Sequence, residues 1–171
     1  MEKFVPNQYK KSIFSIDYET LKISGIKCIL FDLDNTIATT KEKIPSNEVI
    51  ELINKLKQDF KIIIFSNATK KRLMPFKSNL DVDCFYSSKK PRKKNFLKVL
   101  KLFNYDISEV IIIGDQLLTD IYGGNKIGIT TVLVNPLKKI DISTIFNRII
   151  EKIIMIILKK KDLFVKGRYY E

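Results

Sequence analysis

The 171-residue chain contains no histidine. That absence excludes imidazole as a general base, as the activator of a serine or cysteine nucleophile, and as a ligand for zinc or iron. Cysteine is scarce. Cys28 and Cys84 cannot build a four-thiolate metal site or a disulfide scaffold, so a reducing compartment is the natural setting. No continuous apolar stretch occupies Met1 to Ser15, and no secretory signal is read there. The longest fully apolar run, Ile153-Ile154-Met155-Ile156-Ile157-Leu158, is too short for a membrane span, and extending it back to Ile149 brings in Glu151 and Lys152. No internal repeat or low-complexity linker is visible. These absences point to a soluble, cytoplasmic protein whose chemistry runs on carboxylates, hydroxyls, amines and backbone groups.

What the chain has in excess is positive charge and isoleucine. Lys and Arg number 31 against 19 Asp and Glu, a net charge of +12. Of the basic residues 27 are Lys and only four are Arg, and Ile occurs 28 times. A joint excess of Lys and Ile is also what an AT-rich genome produces. Specific nucleic-acid readers lean on Arg for bidentate contacts and on aromatic stacking, so nucleic acid is disfavoured as a partner. With 45% apolar residues the chain can fill a core, and its length suits a single domain spanning 1–171.

Four apolar runs read as buried strands: Ile26–Phe31, Ile62–Phe65, Val110–Ile113 and Thr131–Val134, with a weaker one at Cys84-Phe85-Tyr86. They lack polar alternation, as strands covered on both faces do. Between them Val49, Leu52, Ile53 and Leu56 recur at helical spacing behind Pro45-Ser46, and Phe96, Val99, Leu100 and Phe103 repeat the pattern. Alternating strands and helices predict a parallel α/β sheet with function at the carboxyl ends of its strands. Cys28 and Cys84 read as core, and Gly123-Gly124 as a helix terminus.

Those strand ends carry an ordered set of polar residues. Asp32-Leu33-Asp34-Asn35-Thr36 follows the first strand, Ser66-Asn67 the second, and Gly114-Asp115-Gln116-Leu117-Leu118-Thr119-Asp120 a later one, with Ser87-Ser88-Lys89-Lys90-Pro91 between. Two carboxylates two positions apart after a buried strand call for a cation or a tuned proton. Taken singly, each group has a plain reading as turn or helix-cap residues. Their joint occurrence at strand ends selects a site.

In this order the motifs resemble the haloacid dehalogenase (HAD) superfamily of phosphohydrolases. Phe31 to Thr36, Ser66-Asn67, Lys90-Pro91 and Gly114 to Asn125 are similar to the YqeG subfamily of HAD type IIIA phosphatases, relatives of the phosphatidylglycerophosphate phosphatases of mitochondria and plastids. The resemblance implies a Rossmannoid three-layer α/β/α sandwich with a mostly parallel sheet. It implies a phosphomonoesterase with Asp32 as nucleophile forming an aspartyl-phosphate, and Asp34 as general acid and then base. Mg²⁺ would be held by Asp32, the main-chain carbonyl of Asp34 and Asp115. Ser66, the Asn67 N–H and a lysine would bind the phosphate oxygens. Lys90 is favoured over Lys89 because it adjoins Pro91. Thr36 would brace the loop, and Asp120 would orient Lys90 or hold a metal-bound water.

From Asp34 to Ser66 is 32 residues and from Ser66 to Lys90 is 24, too few for a cap domain of on the order of 50 residues. An open site suits a phosphate ester as large as a membrane lipid headgroup, phosphatidylglycerophosphate above all. A soluble sugar, nucleotide or nucleic-acid phosphate is the competing substrate class, and an RNA- or ribosome-associated protein on the same scaffold the competing function. The oligomeric state is not legible. Beside a 1–24 N-terminal segment, Phe146, Ile149, Ile150, Ile153 and Ile157 keep helical period into Lys159-Lys160-Lys161, a basic amphipathic helix over 144–171. Its apolar face either closes the core against the sheet or N-terminal segment, or docks peripherally on the inner face of an anionic membrane.

Overall fold

The isoleucine-rich runs form the middle of a parallel sheet. The computed structural model describes residues 1–138 and 145–170; the expected start of the C-terminal helix at 144, the side chain of Phe146 and Glu171 lie outside the described residues. The strands β1 (Gln8–Lys10), β2 (Cys28–Phe31), β3 (Lys61–Phe65), β4 (Asp83–Phe85), β5 (Val110–Gly114) and β6 (Thr130–Val134) lie in the order β1-β6-β5-β2-β3-β4. Every neighbouring pair is parallel.

Successive side chains on a strand leave opposite faces, and here both faces are apolar. Ile29, Phe31, Ile62, Ile64, Ile111 and Ile113 join one core, with Leu21 of α1 (Tyr18–Ile23), Val49, Ile53 and Leu56 of α2 (Asn47–Leu56), and Leu73, Phe76 and Leu80 of α3 (Lys70–Leu80). Cys28, Leu30, Ile63, Phe65, Val110 and Ile112 join another, covered by Phe96, Val99 and Leu100 of α4 (Lys93–Phe103). The result is a three-layer α/β/α sandwich. Ser46 caps α2 by accepting from the Val49 N–H, as its position before the apolar pattern suggested. Only α2 lies in the connection between β2 and β3, and only α3 between β3 and β4, so no cap domain covers the sheet among the described residues.

Two expectations need correction. Gly123 and Gly124 do not end a helix but form the middle of the short α5 (Tyr122–Asn125). A Cβ on Gly124 would lie 2.6 Å from Thr131 Cγ2 and 2.8 Å from Ile112 Cγ2, so a side chain here would push α5 off the sheet. The C-terminal helix α6 (Ile145–Lys160) also presents a different face to the core than its periodicity suggested. Ile154 and Leu158 pack with Tyr9, Leu133, Leu117 and Ile121, and Glu151 is buried beside them. Of the expected face Ile150 is half-buried against this core, while Ile149, Ile153 and Ile157 are exposed. The Glu151 carboxylate accepts from the Leu118 N–H at 3.1 Å, a backbone donor that an all-apolar face would leave unsatisfied. No described helix is long and apolar enough to cross a membrane.

Strand β1 is too short and polar to be read from sequence. It joins the sheet through its register with β6, Tyr9 opposite Leu133. Its outer side is closed by Tyr170: the Tyr9 N–H donates to Tyr170 O and the Tyr170 N–H to Tyr9 O, at 3.0 and 3.1 Å.

Candidate active site

Strand β2 is followed in sequence by β3 on one side, while β5 pairs with its other side. At such a reversal of strand order the loops diverge and leave a crevice at the carboxyl ends. Asp32 is the first residue beyond β2, anchored there by its N–H to Ile113 O at 2.9 Å. Asp115 is the first residue beyond β5 and Ser66 the first beyond β3. All three are buried.

The centre of the crevice is an ammonium between two carboxylates. Lys90 Nζ lies 2.6 Å from Asp32 Oδ1 and 2.6 Å from Asp120 Oδ1, with side-chain exposures of 1%, 7% and 0%. Burial alone would lower the Lys90 pKa, but the charges of Asp120 and Asp32 outweigh it and the net shift is upward, so the amine stays cationic. Burial pushes the Asp120 carboxyl up, against the pull of Lys90. Asp120 reaches this position from a single π-helical turn, Leu117–Ile121, and its Oδ2 accepts from the Gln116 N–H at 3.1 Å. Gly114 makes room for it: a Cβ there would sit 2.2 Å from Asp120 Cγ.

Lys89 is exposed with φ +53°, so of the two adjacent lysines only Lys90 enters the crevice. The Lys90 loop is held by Asn67, whose Oδ1 accepts from Lys90 N at 2.7 Å and Ser88 Oγ at 2.9 Å while its Nδ2 donates to Lys90 O. The amide side chain of Asn67 is therefore taken up in positioning the lysine. Ser66 Oγ accepts from the Ala68 N–H at 3.2 Å. Thr36 is buried in the loop after Asp32; its N–H bonds Leu33 O, whereas its hydroxyl has no hydrogen-bond partner among the described residues.

The Asp34 carboxylate has a cationic partner of its own. Arg72 on α3 grips its Oδ1 with Nε at 3.0 Å and Nη2 at 2.9 Å, and also donates to the main-chain oxygens of Thr39 and Glu42. The guanidinium stacks over Phe76, 4.7 Å from the ring centroid. Sequence reasoning missed Arg72. It lies 38 positions from Asp34, and the only available signal was its rarity as one of four arginines in a lysine-rich chain.

This geometry sits in a chain with clear relatives. Residues 1–138 match the family model described as mitochondrial PGP phosphatase. The chain is 36% identical over 160 residues to "Probable phosphatase YqeG" of Bacillus subtilis, covering 92% of this chain and 93% of that protein. The chain belongs to the mitochondrial PGP phosphatase family. It is therefore a phosphomonoester hydrolase. It is also 28% identical over 147 residues to phosphatidylglycerophosphate phosphatase 1, chloroplastic/mitochondrial, of Arabidopsis thaliana, covering 80% of this chain and 42% of that protein. Its fold is shared with a protein from Legionella pneumophila described as a HAD superfamily (subfamily III A) hydrolase, at a TM-score of 0.53 and 18% identity over 71% of this chain and 72% of that one.

For a member of this family the donor set invites a hard cation. Asp32, Asp115 and Asp120 each present a carboxylate oxygen, all within 4.8 Å of one another, and all three residues are buried. A site of oxygens alone suits Mg²⁺ and not the softer ions that thiolates and imidazoles select. Asp120 already engages Lys90 through Oδ1 and Gln116 through Oδ2. With Asp120 so engaged, Asp32 and Asp115 are the members of the group that could hold an ion.

Proposed function

We propose that the chain is a Mg²⁺-dependent phosphatidylglycerophosphate phosphatase that works through a phosphorylated Asp32. The observation that carries the reading is the buried Lys90 ammonium bridging Asp32 and Asp120, with Asp115 beside them and no cap domain among the described residues. Asp32, Asp115 and the main-chain carbonyl of Asp34 would hold Mg²⁺, which would supply positive charge to offset repulsion between the carboxylates and a phosphate dianion.

The rest of the chemistry belongs to the chain. Asp32 attacks phosphorus, the bond to the ester oxygen breaks, and the phosphoryl group moves to the carboxylate. Lys90 keeps the nucleophile fixed and places positive charge where the equatorial oxygens gain negative charge. Ser66 Oγ–H and the Asn67 N–H donate to those oxygens. Asp34 gives its proton to the departing alkoxide, then takes one from the water that hydrolyses the acyl phosphate. For the first transfer it must hold a proton, which Oδ2 can carry while Arg72 holds Oδ1.

The substrate assignment rests on the family and on the open crevice. A phosphate carried on a diacylglycerol needs an approach wider than a capped site allows. The test is a phosphatase screen with Mg²⁺ that sets phosphatidylglycerophosphate in mixed micelles against sugar phosphates, nucleotides and 5′-phosphorylated RNA. The expected result is the highest kcat/KM on the lipid, loss of turnover with chelator and recovery with Mg²⁺. A higher kcat/KM on a soluble ester overturns the substrate. Salt-sensitive RNA retention without hydrolysis under any divalent ion overturns the function.

A further inference from the structure

Helix α6 buries one side and shows isoleucine on the other. At about 100° per residue, Glu151, Ile154 and Leu158 fall on the side that packs against the sheet edge. Directly opposite lie Ile149, Ile153 and Ile156, exposed by 55%, 54% and 57%, followed on the same line by Lys160. Ile157 widens the stripe at 37% exposure. An apolar line of this kind pointing straight into water is not needed to hold the helix, because the core contacts are made by the other side.

The flanks of the stripe are basic. Lys152 and Lys159 run along one side, and Lys160 and Lys161 end it, all exposed. The single acidic residue of the helix is Glu151, and it is buried against Leu118. A shallow groove beside the stripe is lined by Lys152, Met155, Ile156, Lys159, Val165 and Lys166, apolar at its floor with three ammonium groups at its edge. Apolar side chains between lysines, with no exposed acid on the helix, match a bilayer surface, where methyl groups enter the acyl boundary and ammonium groups meet lipid phosphates.

We propose that this outward face of α6 is a docking surface for an anionic bilayer. The helix also touches the catalytic loop: Glu151 holds the Leu118 N–H, and Asn147 Nδ2 donates to Gln116 Oε1 at 3.4 Å. Gln116 is the residue whose N–H fixes Asp120. Docking through α6 therefore brings the bilayer to an element bonded directly to the reaction centre. The charge pattern distinguishes a bilayer from a polyanion such as RNA, which would use the lysines and leave the isoleucines idle. It also distinguishes a second copy of the chain, whose matching stripe would set lysines against lysines.

The experiment is vesicle flotation of the full chain with phosphatidylcholine alone and with phosphatidylcholine mixed with phosphatidylglycerol. Two variants accompany it, Ile149→Ser with Ile153→Ser and Ile156→Ser, and Lys152→Gln with Lys159→Gln and Lys160→Gln. The wild type is expected to float with the anionic vesicles only. Each variant should partition more weakly by on the order of a hundredfold, with its melting curve kept. Hydrolysis of p-nitrophenyl phosphate reads the catalytic centre separately and should be the same in all three proteins, so a failed enzyme assignment and a failed docking assignment give different patterns. Flotation of the serine variant equal to wild type, equal flotation with neutral vesicles, or a dimer in sedimentation equilibrium that the serine variant dissociates would each overturn the proposal.

Discussion

Lys90 and Arg72 each hold a carboxylate of the Asp32-Leu33-Asp34 segment, one in the interior and one at the rim. Lys90 has a side-chain exposure of 1% and sits between two carboxylates that are themselves buried. Arg72 and Asp34 are exposed by 19% and 24%, and the arginine reaches in from a helix on the outside of the sandwich. A buried charge triplet is rigid because no partner can leave without stranding the others in a medium that solvates them poorly. A pair with an edge in water gives up its partner at lower cost than one enclosed on all sides. The Asp32 carboxylate is thus held rigidly in the interior, while that of Asp34 is held at the rim by a contact more open to water.

Substitutions test this contrast in order of expected effect. Asp32→Asn replaces the carboxylate proposed as nucleophile with a neutral amide and should lower turnover at least about 10⁴-fold, as loss of a nucleophile does in other covalent enzymes, with the fold intact by circular dichroism. Full turnover in that variant would remove the aspartyl-phosphate route. Lys90→Met leaves two buried carboxylates facing each other and should cost about 3–5 kcal/mol of stability. That corresponds to a fall in Tm on the order of 10 °C for a chain of this size, alongside a loss of about 10²–10³ in kcat.

Gly114→Ala probes the same triplet without touching it. The added methyl would overlap Asp120, so kcat and Tm should both fall, by less than in Lys90→Met because the ammonium keeps Asp32. An alanine variant with wild-type kcat would show that Asp120 need not stand where it does. Arg72→Ala should cost only about 1–2 kcal/mol of stability and lower kcat by roughly tenfold. A Tm loss matching that of Lys90→Met would erase the distinction between interior and rim. The smallest effect concerns the thiols. Burial pushes both Cys28 and Cys84 up to about 12, so at pH 8 both are overwhelmingly protonated and a thiolate-selective reagent should label the native chain slowly and the denatured chain fast.

How much of this was legible in the sequence follows from what holds each part together. Strands β2, β3, β5 and β6 could be read because burial on both faces demands unbroken β-branched runs. Strand β1 could not, since Gln8-Tyr9-Lys10 owes its conformation to pairing with β6. Helix α3 carries Pro75 and a weak apolar pattern, which hid both the helix and the arginine it presents. The crevice was legible because Asp32, Ser66, Lys90, Asp115 and Asp120 sit at fixed places around strand ends. The partner of Asp34 was not, because contacts between distant segments leave no periodic trace. The period of α6 was plain but its orientation was not: with isoleucine on several sides, the buried face was chosen by Glu151 and the backbone donor it satisfies.

The clasp between Tyr9 and Tyr170 has a consequence for how the molecule is made. The outer rim of β1 gains its hydrogen-bonding neighbour from a residue synthesised more than 150 positions later, so until Tyr170 leaves the ribosome that rim is an open template for any other extended chain. A chain shortened just before Tyr170 should keep its central strands and catalytic crevice yet become sticky at the far border of the sheet.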